Sequence, residues 1–370
     1  MTKRMIFLAA GVLALAQAST SALATTTVGT LGNFDAVNDT GKEAHGFEID
    51  LEGLHSSDIT DTFGGTGRGF PSTVERYGAP TITDYVSGGV FGVKIIYKSA
   101  LNSGAWAAGT PSGVYSTPGE SCWTGGGGYN ASTPCDHFGV GTIGNATKTT
   151  YSWLVEATPG STTLVNATNN LVAPQWTVTP AAPPPPGSPP APPVVVAKIQ
   201  SPDPLNGAAW GDAMWVKVFT TESDVPVNLH QLVNEDPIVQ AADANPPEIE
   251  WQLLQTESGV ANSGVLENGG AGPVAAGAES IVRRYEFYAY SGAYAPDGEA
   301  LPANGDTAPG PGELGHFMGD QNAAVNFAGG PAGAGVPEST SWALMLLGVA
   351  VVGARIRARR TAVPLRARLA

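Results

Sequence analysis

The chain has 370 residues, 18 basic against 32 acidic, and a formal net charge of −14. Residues 25–338 hold 10 of the basic groups and all 32 acidic ones, a net of −22. A surface this acidic repels phosphate backbones and anionic lipid, which excludes nucleic acid as a partner.

The chain opens with Lys3-Arg4, then an apolar segment from Met5 to Ala16, then small residues ending Ala22-Leu23-Ala24. Positive, apolar and A-x-A in that order read as a secretory signal peptide over residues 1–24, cleaved after Ala24. The apolar part is too short for a spanning helix.

Residues 25–179 are rich in Gly, Thr, Ser and Asn. Period-two runs recur at Phe47–Leu51, Val90–Tyr97, Thr149–Glu156 and Gln175–Thr179, separated by turn signals such as Asn38-Asp39-Thr40-Gly41, Gly88-Gly89 and Pro159-Gly160. β-branched and aromatic residues fill these runs, so they predict strands of a sandwich or jelly-roll-like domain. A long loop is expected between Lys98 and Thr149. Cys122 and Cys135, the only cysteines, lie within it. In an exported protein such a pair reads as one disulfide, closing about 14 residues and contributing on the order of 3 kcal/mol. Trp106, Trp123 and Tyr129 in the same region are candidate glycan contacts; the plainer reading is a small satellite core.

Candidate chemistry in this half is thin. His45, His55, Glu48, Asp58 and Asp61 offer metal-ligating groups, but at no recognised spacing. Asp35, Asn38 and Asp39, or Asp58 and Asp61, offer oxygen ligands for calcium, yet no Asp-x-Asp-x-Asp-Gly loop is present. Gly64–Gly69 lacks the Lys-Ser/Thr ending of a phosphate loop and reads as a turn. Asn-x-Ser/Thr glycosylation patterns occur at Asn38, Asn130, Asn145 and Asn166. There is no Gly-x-Ser-x-Gly and no His-Glu-x-x-His, and Glu248 and Glu250 offer carboxylates for a glycosidase pair whose separation in space a sequence does not give. No catalytic residue and no cofactor are therefore assigned; the acidic body suits divalent cations, calcium among them, with no ligand set named.

Residues 180–193 read Pro-Ala-Ala-Pro-Pro-Pro-Pro-Gly-Ser-Pro-Pro-Ala-Pro-Pro. Polyproline II is expected here, a stiff spacer of about 40 Å if straight, and hence a domain boundary. Residues 194–302 then read as a second, immunoglobulin- or fibronectin-like β domain. Its strands are expected at Val194–Ile199, Ala213–Thr220, Glu248–Leu254 and Ser280–Tyr290, with a helical turn or loop in 228–244. Residues 303–335, mostly Gly, Ala and Pro, are expected to be a flexible tether.

The chain then reads Val336, Pro337, Glu338, Ser339, Thr340, Ser341, Trp342, Ala343 and Leu344. An apolar run containing Gly348 follows, then Arg355, Arg357, Arg359 and Arg360. An interfacial Trp, an apolar helix and stop-transfer arginines make a short membrane anchor. Over residues 336–360 this resembles the PEP-CTERM sorting signal of Gram-negative bacteria, with Ser339 at the third motif position and a basic tail over 361–370. The resemblance implies a partner, the membrane enzyme exosortase, which cuts at the Pro-Glu element and passes the body from a transient inner-membrane anchor to the cell surface. It also implies an exopolysaccharide setting. The expectation is therefore an all-β, exported, non-enzymatic component of the cell surface or extracellular matrix. The alternatives are a carbohydrate-binding module and a secreted hydrolase.

Overall fold

Alternation of apolar and polar residues builds strands through most of the chain. The computed structural model describes residues 26–64, 76–115, 122, 132–180, 191–233, 248–268, 274–275 and 277–328. The strands begin with β1 (Thr26–Val37), β2 (Ala44–Glu52), β3 (Ile59–Thr62), β4 (Thr81–Ser87) and β5 (Val90–Lys98). A small hairpin, β6 (Leu101–Asn102) and β7 (Ala105–Trp106), precedes β8 (Cys135–Thr142), β9 (Lys148–Glu156), β10 (Leu164–Thr168) and β11 (Gln175–Thr179). Next come β12 (Val194–Gln200), β13 (Met214–Ser223), β14 (Glu248–Leu254), β15 (Val265–Asn268) and β16 (Ser280–Tyr290). A second small hairpin, β17 (Ala293–Tyr294) and β18 (Ala300–Leu301), leads to β19 (Leu314–Ala328). One helical turn, α1 (Leu229–Val233), follows Asn228, whose side chain accepts from the Gln231 amide while Gln231 accepts from the Asn228 amide. The all-β expectation holds.

Three sheets carry the architecture. A seven-stranded antiparallel sheet runs β14-β13-β16-β19-β1-β8-β3; a five-stranded sheet runs β10-β9-β2-β5-β4; a three-stranded sheet runs β11-β12-β15. The two smaller sheets share one continuous core with the large one. Opposite the five-stranded sheet the core is aromatic. Phe47 stacks on Phe138 at 4.2 Å and meets Trp153 edge-on at 5.0 Å, and Phe34 lies 4.6 Å from Tyr151. Trp153 is fully buried because its indole N–H donates to the Val37 carbonyl at 3.1 Å. Under the three-stranded sheet the core is more aliphatic, with Val195, Ala197 and Ile199 meeting the inward residues of β13, β16 and β19.

Four sequence expectations are corrected by the strand order. The first and second domains are not separate, because β13, β14 and β16 lie in the same large sheet as β1, β3 and β8. All described residues belong to one unit. The proline run is not a spacer holding two bodies apart. β11 and β12 pair antiparallel with Thr179 opposite Val194, so its two ends stand about 5 Å from each other. The β-branched strands flanking the prolines set this distance, not the stiffness of the prolines. Finally, Leu314–Ala328 is not tether but the longest strand, paired along β1 on one side and β16 on the other. The expected loop between Lys98 and Thr149 also contains a sheet strand, β8, held between β1 and β3.

Candidate functional site

A cleft of about 390 Å³ opens where the five- and three-stranded sheets diverge. One wall comes from β9, with Lys148 and Thr149, and from the turn after β10, with Asn169 and Leu171. The other comes from β12 and the residues after it, Lys198, Gln200, Ser201, Pro202 and Asp203. The walls are fixed by their own hydrogen bonds. Asn169 Oδ1 accepts from the Leu171 amide at 2.9 Å, and Thr256 Oγ1 donates to the Ser201 carbonyl at 2.8 Å. Asn145 clamps β11 from outside the cleft, accepting from the Trp176 amide and donating to its carbonyl. The volume falls in the range of small-ligand sites, about 300–1,000 Å³.

The outer face of the large sheet carries a second polar assembly. Residues directly opposite one another on paired strands share a face. Trp251, Lys217, Glu286, Asp320, Asp35 and His137 therefore form one row across β14, β13, β16, β19, β1 and β8. Most of it is sealed: Asp35 and Asp320 are 0% exposed, His137 3% and Glu286 4%. Apolar groups close both sides. Leu31, Val282 and Ala324 pack under Leu229 and Leu232 of α1. Val37, Phe317 and the Cys122–Cys135 disulfide close the other side.

Charges in the row are paired unevenly. Asp35 bonds His137 Nδ1 through one oxygen and accepts the Cys122 amide at 2.7 Å through the other. Glu286 takes Arg284 at 3.2 Å, the Tyr288 hydroxyl at 3.0 Å and Lys217 at 3.8 Å. Neither Asp320 oxygen has a hydrogen-bond partner. Burial, then the neighbouring Asp35 charge, raises the Asp320 carboxyl well above the ordinary carboxylate range, against the opposing pull of Arg284. The row thus sets one carboxyl without hydrogen-bond donors, pushed toward its protonated form, beside two that have donors of their own, all enclosed within the fold.

The sequence candidates fall in several places. The disulfide forms as expected, with Cα atoms 5.6 Å apart. Trp106 is half-buried, stacks on His45 and donates its indole N–H to Ser161 at 3.1 Å. It lies near Glu156, at the end of β9 opposite the cleft. Trp123 and Tyr129 lie outside the described residues, as do Ala22, Ala24, Val336, Pro337, Glu338, Ser339, Trp342 and the arginines Arg355, Arg357, Arg359 and Arg360.

His45 and His55 are not brought together. His45 lies near the start of β2 and His55 in the turn past its far end, so the extended strand between them holds them roughly 20 Å apart. His45 faces Ala108 and Glu156; His55 stacks on Phe91 beside Asp84. Glu48 turns to Lys94 at 2.6 Å and Asn166, and Asp58 accepts the His55 amide in its own turn. Nor do Asp35, Asn38 and Asp39 converge as calcium ligands. Asp35 points into the row, and the fully buried Asn38 amide donates to Lys42 and Thr110, leaving no room for a glycan.

Sequence reasoning missed Asp320, Glu286, Lys217, both cleft lysines and β19 altogether. For the row, the available signal was the Asp/Asn content of otherwise strand-like runs, Asn33-Phe34-Asp35 and Asp320-Gln321-Asn322. Charged residues placed at alternate positions of a strand buried on both faces have to find each other. The chain matches no protein-family model, no curated protein and no solved structure.

Proposed function

We propose that this is an exported, non-enzymatic component of a bacterial cell surface or extracellular matrix, with a structural or adhesive role. In this reading exosortase sorts and cleaves it through residues 336–360. The observation that carries it is the ordered tail: Pro337-Glu338, Trp342, an apolar run, then Arg355, Arg357, Arg359 and Arg360. The positive, apolar, A-x-A order of residues 1–24 supports the same route. So does the Cys122–Cys135 bond, since disulfides persist in oxidising compartments.

The intact mass of the protein from culture fluid and from cell envelope tests this. The expected mature species lacks residues 1–24 and has lost Trp342 with the arginines. A Pro337→Ala/Glu338→Ala double variant should accumulate uncleaved in the membrane. Secreted protein retaining the arginines, or normal maturation of the double variant, overturns the reading.

A second reading, glycan binding, is favoured by the hydroxyl- and amide-lined cleft between the two smaller sheets. Turnover of a polysaccharide or peptide substrate would favour the third, a secreted hydrolase.

A further inference from the structure

We propose that the cleft between the five- and three-stranded sheets binds a glycan bearing uronic-acid carboxylates, and that Lys148 and Lys198 hold those carboxylates. The charge distribution points there. Only 10 basic residues stand against 32 acidic ones over residues 25–338, yet this one cleft takes two lysines, one from each sheet. Elsewhere four basic groups are committed, Lys94 to Glu48, Arg76 to Asp136, and Lys217 and Arg284 to Glu286, while Lys42 and Lys98, which also close no ion pair among the described residues, do not line this cleft. Lys148 and Lys198 close no ion pair among the described residues, and Lys198 bonds only the neutral Asn262 side chain, at 3.0 Å. Asp203 is the one acid on the lining.

The rest of the lining selects the ligand class. The lining is drawn from hydroxyl-bearing residues, Thr147, Thr149, Thr150 and Thr168, and amide-bearing ones, Gln175 and Gln200, a composition suited to a polyol chain. The aromatic face that commonly stacks on neutral sugars is missing from this lining. Its one aromatic residue, Tyr151, is buried with its hydroxyl bonded to Gln321 at 3.2 Å. Recognition therefore rests on hydrogen bonds and charge, and charge demands an anionic glycan.

The proposal rests on the surface setting argued above, but its test needs only purified protein and is independent of sorting. Trigalacturonate and maltotriose are titrated calorimetrically into the wild-type protein, and into Lys148→Glu/Lys198→Glu and Lys148→Gln/Lys198→Gln variants. Trigalacturonate should bind wild type at least about tenfold more tightly than maltotriose does, and more weakly as salt rises from about 0.02 to 0.3 M. The Glu variant should lose at least about tenfold in affinity with an unchanged thermal midpoint. If it fails to fold, the Gln variant carries the same expectation. Absence of trigalacturonate binding, equal binding of the neutral trisaccharide, or undiminished binding by a folded variant overturns the proposal.

Discussion

Asp320 sits at the centre of a sheet with both carboxylate oxygens unpartnered, and its neighbour across the strand is another aspartate. Two adjacent buried carboxylates do not both ionise without compensation. His137 and the Cys122 amide both bond Asp35, whereas Asp320 has no donor, so burial falls hardest on a charge at Asp320 and raises its pKa. The consequence for stability has a definite sign. The folded-state pKa lies above the unfolded value near 3.8, so the folded state binds the proton more tightly. The contribution is complete below the unfolded value and is lost as pH rises through the folded one. Asp320→Asn keeps the shape and removes the ionisation. Its thermal midpoint should match wild type near pH 4 and exceed it near pH 8. Midpoints measured across that range check this; a variant less stable than wild type by a constant amount at every pH would show that the carboxyl is not neutral in the fold.

At the scale of the element, β19 makes the fold continuous and is the strand hardest to read. Its central residues, Gly319 to Ala324, are small or polar, and Ala323 and Ala324 are fully buried. Small side chains serve here because the large ones come from both sides: Phe34 and Tyr285 on one face, Leu31 and Leu232 on the other. Gly319 is required outright. It has φ +139° beside an irregularity in the pairing with β16, and a Cβ there would run into the Asp35 carbonyl oxygen. Gly319→Ala should cost about 1–3 kcal/mol in a denaturant titration. Gly144→Ala, where a Cβ meets open space, should change little. Equal stability of the two variants would remove the strain argument.

The same contrast explains what the sequence disclosed. Strands with large apolar residues on one face, such as β2, β5, β9, β13 and β16, announced themselves by alternation. β19 and β8 did not, because both their faces are covered and their partners supply the bulk. The disulfide was legible from two cysteines close in sequence and the export expected from residues 1–24. The polar row and the cleft were not, since each gathers residues from segments far apart in the chain, and only strand order brings Asp35, Asp320 and Glu286 side by side.

At the scale of the whole molecule, strand order also decides how the protein comes apart. If the proline run separated two domains, each half would close its own core. Instead β1 and β16 are both zipped to β19, and β11 from the first half pairs with β12 from the second. Neither half can be removed without stripping a strand from its ladder and exposing unpaired backbone groups at a buried edge. Unfolding of residues 26–328 should therefore be one cooperative event. Calorimetry should give a single transition whose calorimetric and van't Hoff enthalpies agree, and residues 25–179 expressed alone should show no cooperative melt. Two resolved transitions, or a cooperatively folded isolated half, would mean that the large sheet joins two bodies already stable by themselves. The proline run would then be a linker after all, although its ends meet in a hairpin.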